Sequence, residues 1–95
     1  MNKREMYIEK LTGQLKEWNS QIDALIAKKE KVKADTRNEY AKQIETLNQK
    51  KETAAQRLEE LKNKGEGAWE DVATGIEKIW EDLKTTLDNV KTRFK

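Results

Sequence analysis

Apolar residues recur along this chain with the period of an α-helix. In the first two thirds they are Ile8, Leu11, Leu15, Trp18, Ile22 and Leu25, then Val32, Tyr40, Ile44, Leu47, Ala54, Leu58 and Leu61. Turned by about 100° per residue, all of them fall within an arc of about 120°, the stripe of an amphipathic helix. The heptads of residues 8–25 and 44–61 are separated by four-residue steps through Val32, Thr36, Tyr40 and Ile44. Those steps cancel the drift of a strict heptad on a straight helix, so the pattern predicts weak supercoiling. The segment has no Pro, and its only Gly before the end, Gly13, lies on the polar side. Asn2 with Glu5 three residues on reads as a start cap. Lys62-Asn63-Lys64-Gly65 reads as a stop, with cations in the last turn and then Gly in a left-handed cap. The spacing therefore predicts one helix over residues 2–64, roughly 90 Å long. Lys29, Thr36 and Lys51 occupy stripe positions, either as lysines whose stems snorkel or as a polar device that fixes register. The alternative is a hairpin turning near residues 33–38, which would make three helices, although that stretch has neither Gly nor Pro.

Gly65 and Gly67, on either side of Glu66, mark a helix–helix turn. Beyond them an 11-residue repeat aligns residues 68–78 with 79–89, and Trp, Glu, Asp and Thr recur identically. Trp69, Val72, Ile76, Ile79, Trp80, Leu83, Leu87, Val90 and Phe94 fall within about 100° of arc and predict an amphipathic helix over 68–94. Glu66, Glu70 and Asp71 at its start, and Lys91, Arg93 and Lys95 at its end, match the helix macrodipole. Gly75 borders the stripe, where a missing side chain would let a neighbouring helix approach.

The expected fold is all-α: a single helical-hairpin, coiled-coil domain over residues 1–95, with a long helix and a shorter antiparallel one. Residues 1–64 carry 15 bases and 11 acids, residues 65–95 carry 5 bases and 7 acids, and the opposite signs favour packing the second helix on a first. The shorter helix, about 40 Å, covers only half of the longer one. The stripe from Ile8 to Leu25 is then left bare and reads as an interaction surface. An antiparallel homodimer of long helices, with a short helix over each half, would bury both bare stripes and put three helices in every cross-section. A tetramer is the next assembly. The expected assembly interface comprises Ile8, Leu11, Leu15, Trp18, Ile22, Leu25, Tyr40, Ile44, Leu47, Leu58, Leu61, Trp69, Val72, Ile76, Trp80, Leu83, Leu87, Val90 and Phe94.

Composition narrows the chemistry. Charged residues make up 40% of the 95 and hydrophobic ones 35%, with no Pro, Cys or His. Such a mixture permits disorder, but interleaved charges and strict apolar periodicity oppose it. No thiolate site, no disulfide and no histidine acid–base chemistry is available. The net charge of +2 argues against a dedicated nucleic-acid binder. The charged opening lacks the apolar core of a signal peptide, and no stretch is long and apolar enough to span a bilayer, so the expected address is the cytoplasm. The paired carboxylates Glu59-Glu60, Glu70-Asp71 and Glu81-Asp82 fall on polar faces and read as solvated rather than catalytic. Residues 28–33 hold four lysines that would touch phosphate or an anionic membrane only if they converged. Trp69 and Trp80 suit core packing better than a membrane interface, because their helix is net acidic. No catalytic residue, metal ligand or cofactor is expected.

Tyr-Ile-Glu-Lys-Leu at 7–11, Leu-Lys-Glu-Trp-Asn at 15–19, Gly-x-x-Ala-Trp-Glu-Asp-Val at 65–72 and a final amphipathic helix ending in Arg-Phe-Lys at 93–95 resemble small bacterial coiled-coil proteins described as stress-response proteins. The 11-residue repeat is similar, more loosely, to repeats of desiccation-protective and lipid-surface proteins. The family resemblance implies a cytosolic, non-enzymatic helical protein tied to stress and supplies no ligand. The expected function is structural or interactive, through oligomeric assembly. The alternatives are peripheral lipid or granule binding through residues 68–94, and a holdase-like chaperone that grips clients with the Leu/Trp stripes.

Overall fold

The computed structural model describes residues 2–65 and 67–93. The expectations placed on Glu66, Phe94 and Lys95 lie outside them. The described residues are all-α, as the periodicity requires, but they form three helices: α1 (Lys3–Lys29), α2 (Ala34–Asn63) and α3 (Trp69–Arg93). They run up, down and up, so that α1 and α3 are parallel and both lie against α2. The bundle measures 51 × 20 × 19 Å, the length of one helix of about 30 residues.

The continuous helix over 2–64 is thus corrected to a hairpin. Its turn spans residues 30–33, slightly before the 33–38 of the alternative reading, and Ala34 to Asn38 are already helical. Two effects act here without Gly or Pro. Lys28/Lys31 and Lys29/Lys33 set like charges three and four residues apart, which weakens a continuous helix by a few tenths of a kcal/mol per pair. Folding back also buries a whole apolar stripe, worth on the order of 1.5–3 kcal/mol for each large side chain. The Lys31 and Val32 amides bond the Lys28 and Lys29 carbonyls at 3.0 and 3.4 Å, a tightened last turn, and the Arg37 guanidinium donates to the Val32 carbonyl at 3.2 Å.

Asn2 caps α1 as expected, its side-chain oxygen accepting from the Glu5 amide at 2.8 Å. The left-handed cap at Gly65 is corrected. Lys64 is extended (φ −87°, ψ 139°), and no glycine among the described residues has a positive φ. The open carbonyls at the end of α2 are met instead from α1: Arg4 donates to Lys62 O at 2.7 Å and Lys64 O at 3.0 Å. Gly65 and Gly67 are both exposed in this connection, where the Ala68 amide bonds the Gly65 carbonyl at 3.1 Å.

One apolar core runs the length of the bundle. Leu11, Trp18, Ile22 and Leu25 of α1, Tyr40, Ile44, Leu47, Ala54, Leu58 and Leu61 of α2, and Ile76, Trp80, Leu83, Leu87 and Val90 of α3 form it. Ile8, Leu15, Trp69 and Val72 pack half-buried against it, with Tyr7, Ile26, Val32 and Ile79. The stripe from Ile8 to Leu25, bare on a continuous helix, is covered by α2 of the same chain. The three-helix cross-section predicted for a dimer is therefore made within one protomer. Met6, 57% exposed, is the one large hydrophobic residue left open among the described residues.

Two neighbouring lysines at mid-height of α2 reach to opposite sides. Lys51 donates to Asn19 of α1 at 2.7 Å, and Lys50 donates to Thr86 at 2.8 Å and Asp82 at 3.1 Å on α3. Lys51 thus serves as a polar register contact with its stem half-buried. Lys29 lies near Glu30 at 3.7 Å, and Thr36 is exposed.

Candidate functional site between the first and third helices

Because α1 and α3 both lie on α2, a groove runs between them on the side that α2 does not cover. It has a volume of about 350 Å³ and is lined by Tyr7, Lys10, Leu11, Gln14, Trp18, Glu77, Trp80, Glu81 and Lys84. Two ring pairs join α1 to α3 along it. Tyr7 meets Trp69 with centroids 5.8 Å apart and planes at 47°, and Trp18 meets Trp80 at 5.9 Å and 50°. These tilted arrangements suit aromatic quadrupoles.

Both pairs join residues 62 apart, so α1 and α3 keep one register, and a second likeness becomes visible. Tyr7-x4-Thr12-Gly13-x4-Trp18 stands beside Trp69-x4-Thr74-Gly75-x4-Trp80. Thr12 and Thr74 each bond back to the carbonyl four residues earlier, Ile8 at 2.8 Å and Glu70 at 3.0 Å. Sequence reasoning found the 11-residue step within α3 but missed its partner in α1, and with it Tyr7. The signal was there in an aromatic residue 11 positions before Trp18.

The groove is bounded at both ends. The Tyr7 hydroxyl approaches the Ala73 carbonyl at 3.5 Å, at the limit of a hydrogen bond, and Lys91 donates to Gln21 at 3.1 Å further along. Burial, and then the nearby Glu77 carboxylate, raise the Tyr7 phenol above its ordinary value of 10.0. The Trp80 indole nitrogen is buried without a hydrogen-bond partner. An orphaned donor of this kind costs about 1–3 kcal/mol. The rim carries Lys10 and Lys84 against Glu77 and Glu81, a balanced set that selects neither anions nor cations.

Gly75 does not admit a neighbouring helix. A side chain there would meet nothing within 4 Å, and it opens on a shallow recess between α2 and α3 of about 250 Å³. The carboxylate pairs Glu59-Glu60, Glu70-Asp71 and Glu81-Asp82 are all exposed. Among the described residues no group of three potential metal-ligating side chains converges, and no helix is long and apolar enough to cross a membrane. The residues expected at an interface between chains, apart from Phe94, line the seams between the helices of one chain. Comparisons with protein-family models, with curated proteins and with solved structures find no match.

Proposed function

We propose that the chain is a non-enzymatic structural or interaction protein, working as a folded helical bundle through its charged exterior. One observation carries this reading. Among the described residues, no polar or charged residue belongs to the buried set, while the large apolar side chains are buried or pack half-buried against the core, with Met6 alone exposed. Acid–base or nucleophilic chemistry is usually built on desolvated polar groups, whereas this interior is built to hold three helices together. A role in bacterial stress physiology in the cytoplasm belongs to the same proposal and rests on the family resemblance alone. Homo-oligomers fit it through outer faces, since the apolar stripes are taken up within the protomer. Lipid insertion through 68–94 and holdase action through the Leu/Trp stripes both require Trp80, Leu83 and Leu87 to leave the core.

Mass in solution together with helix content, measured across concentration, tests the reading. A helical 11.1 kDa monomer that melts cooperatively supports it, as does a discrete dimer or tetramer. A chain that becomes helical only on adding lipid overturns it. So does a catalytic turnover that disappears when Glu77 and Glu81 are changed to Gln in a still-folded bundle.

A further inference from the structure

Charge is spread unevenly along the bundle. Residues 28–37 close α1, cross to α2 and begin it. They hold five cations, Lys28, Lys29, Lys31, Lys33 and Arg37, against two acids, Glu30 and Asp35. The up-down-up order brings the end of α3 to the same pole, where Arg93 pairs with Glu39 of α2, while the Lys91 ammonium donates to Gln21 of α1. Two stretches of sequence, residues 28–37 and the end of α3, thus bring basic side chains to one blunt end of a bundle whose cross-section is 20 × 19 Å. In the sequence alone the lysines of 28–33 pointed in several directions, and only the hairpin gathers them with α3.

Folding explains part of this cluster. Lys28, Lys29, Lys91 and Arg93 occupy the last turns of α1 and α3, where the macrodipole favours cations. Arg37 closes the turn on the Val32 carbonyl. Lys31 and Lys33 serve neither purpose. Lys33 is the N-cap of α2, a place where Ser, Thr, Asp or Asn would bond a first-turn amide, and it makes no side-chain cap bond. A cation there also faces the positive end of the helix, which opposes stability. Both side chains are exposed.

We propose that this basic pole docks the protein end-on against an anionic lipid bilayer, by electrostatic contact alone. Its shape favours a plane over other polyanions. Cations distributed in two dimensions over a blunt end can meet a charged surface together, whereas a line of phosphates meets few of them at once. No exposed aromatic stands among the described residues of the pole to stack on a base, since Tyr40 is buried. Val32 is half-buried against the core, so the contact is reversible and sensitive to salt. It leaves the apolar face of α3 inside the bundle, unlike insertion of residues 68–94. The proposal goes beyond the interaction reading and needs only the folded bundle.

Co-sedimentation of the full chain with vesicles tests it, using phosphatidylcholine alone and with roughly 30 mol% phosphatidylglycerol. Binding to the anionic vesicles is expected at about 0.05 M salt and is lost at about 0.5 M, with none to phosphatidylcholine and with tryptophan emission unmoved. Changing Lys31 and Lys33 to Glu weakens binding by at least ~10-fold at unchanged helix content. Changing Lys3 and Lys64 to Glu, the same net charge at the opposite pole, has much less effect. The proposal is overturned by an absence of binding at low salt, or by equal loss in the two double variants. It is equally overturned by an emission shift on vesicles that persists in K31E/K33E, or by tighter binding to nucleic acid at the same salt. Mass and helix content in buffer remain a separate reading, so failure here leaves the interaction proposal standing.

Discussion

At one end of the bundle Asn2 caps α1, Arg4 reaches across to the open carbonyls of α2, and Tyr7 packs on Trp69. At the other end α2 begins at Lys33 without a side-chain cap, cations crowd the turn, and Arg37 holds it through one carbonyl. The difference inverts what local punctuation suggests. The connection flanked by Gly65 and Gly67 uses no left-handed glycine and is fixed by a side chain some 60 positions away in the chain. The connection without Gly or Pro is a turn all the same. What closes a helix pair here is the surface it buries, and turn residues tune the ends afterwards. The uncapped end is also the more heavily charged one, so the pole that gives up local stability is the one with most to offer an external anion.

Four experiments break or sharpen this contrast. The largest effect belongs to the core beneath the tied end. Leu61 is fully buried, so Leu61→Ala lowers unfolding free energy by about 2–5 kcal/mol, read by urea denaturation. Val32→Ala at the half-buried hinge lowers it by less than half as much, and equal losses would erase the distinction between the ends. Arg4→Ala leaves the α2 carbonyls to water and lowers stability by about 1 kcal/mol, with amide exchange rising at residues 61–64 before it rises in the hinge. Lys33→Ser works in the opposite direction. It supplies the missing cap and removes a misplaced cation, which raises stability by about 0.5–1 kcal/mol, and a destabilised variant would contradict the reading of α2's start.

The smallest effect is a titration at the tied end. The Tyr7 phenol has its folded value raised above 10.0 by burial, then by Glu77. The folded state therefore holds that proton more tightly than the unfolded chain. This contribution to stability is fully present below pH 10 and is lost as pH rises through the folded value. Tyr7→Phe removes the late-titrating phenol from the alkaline absorbance curve. A phenol at position 7 that ionises at the ordinary value would show that the ring pair leaves the hydroxyl in water.

Most of the fold was legible in the sequence. Ile22, Leu47, Leu58, Ile76 and Leu83 are buried because period-3.6 spacing puts them on one face whatever that face meets. Asn2 was legible as a cap, since capping is settled within four residues. Arg4 was not, because its acceptors lie at positions 62 and 64 and no local rule points there. The hinge stayed ambiguous because the weak signals, like-charged lysines and polar residues at stripe positions, are each worth less than about 1 kcal/mol. The groove was illegible as a place until Trp18 and Trp80 were set at one height.

The sequence by itself determined that this protein is helical, which residues face inward, and that its interior is apolar and its exterior charged, because these follow from short-range periodicity and composition. The tertiary structure decided where the long apolar stripe folds back, that a single protomer covers it, and that lysines scattered along a strand of sequence share one pole with the end of α3. Those outcomes depend on burial summed over tens of residues, which outweighs local preferences too small to settle them.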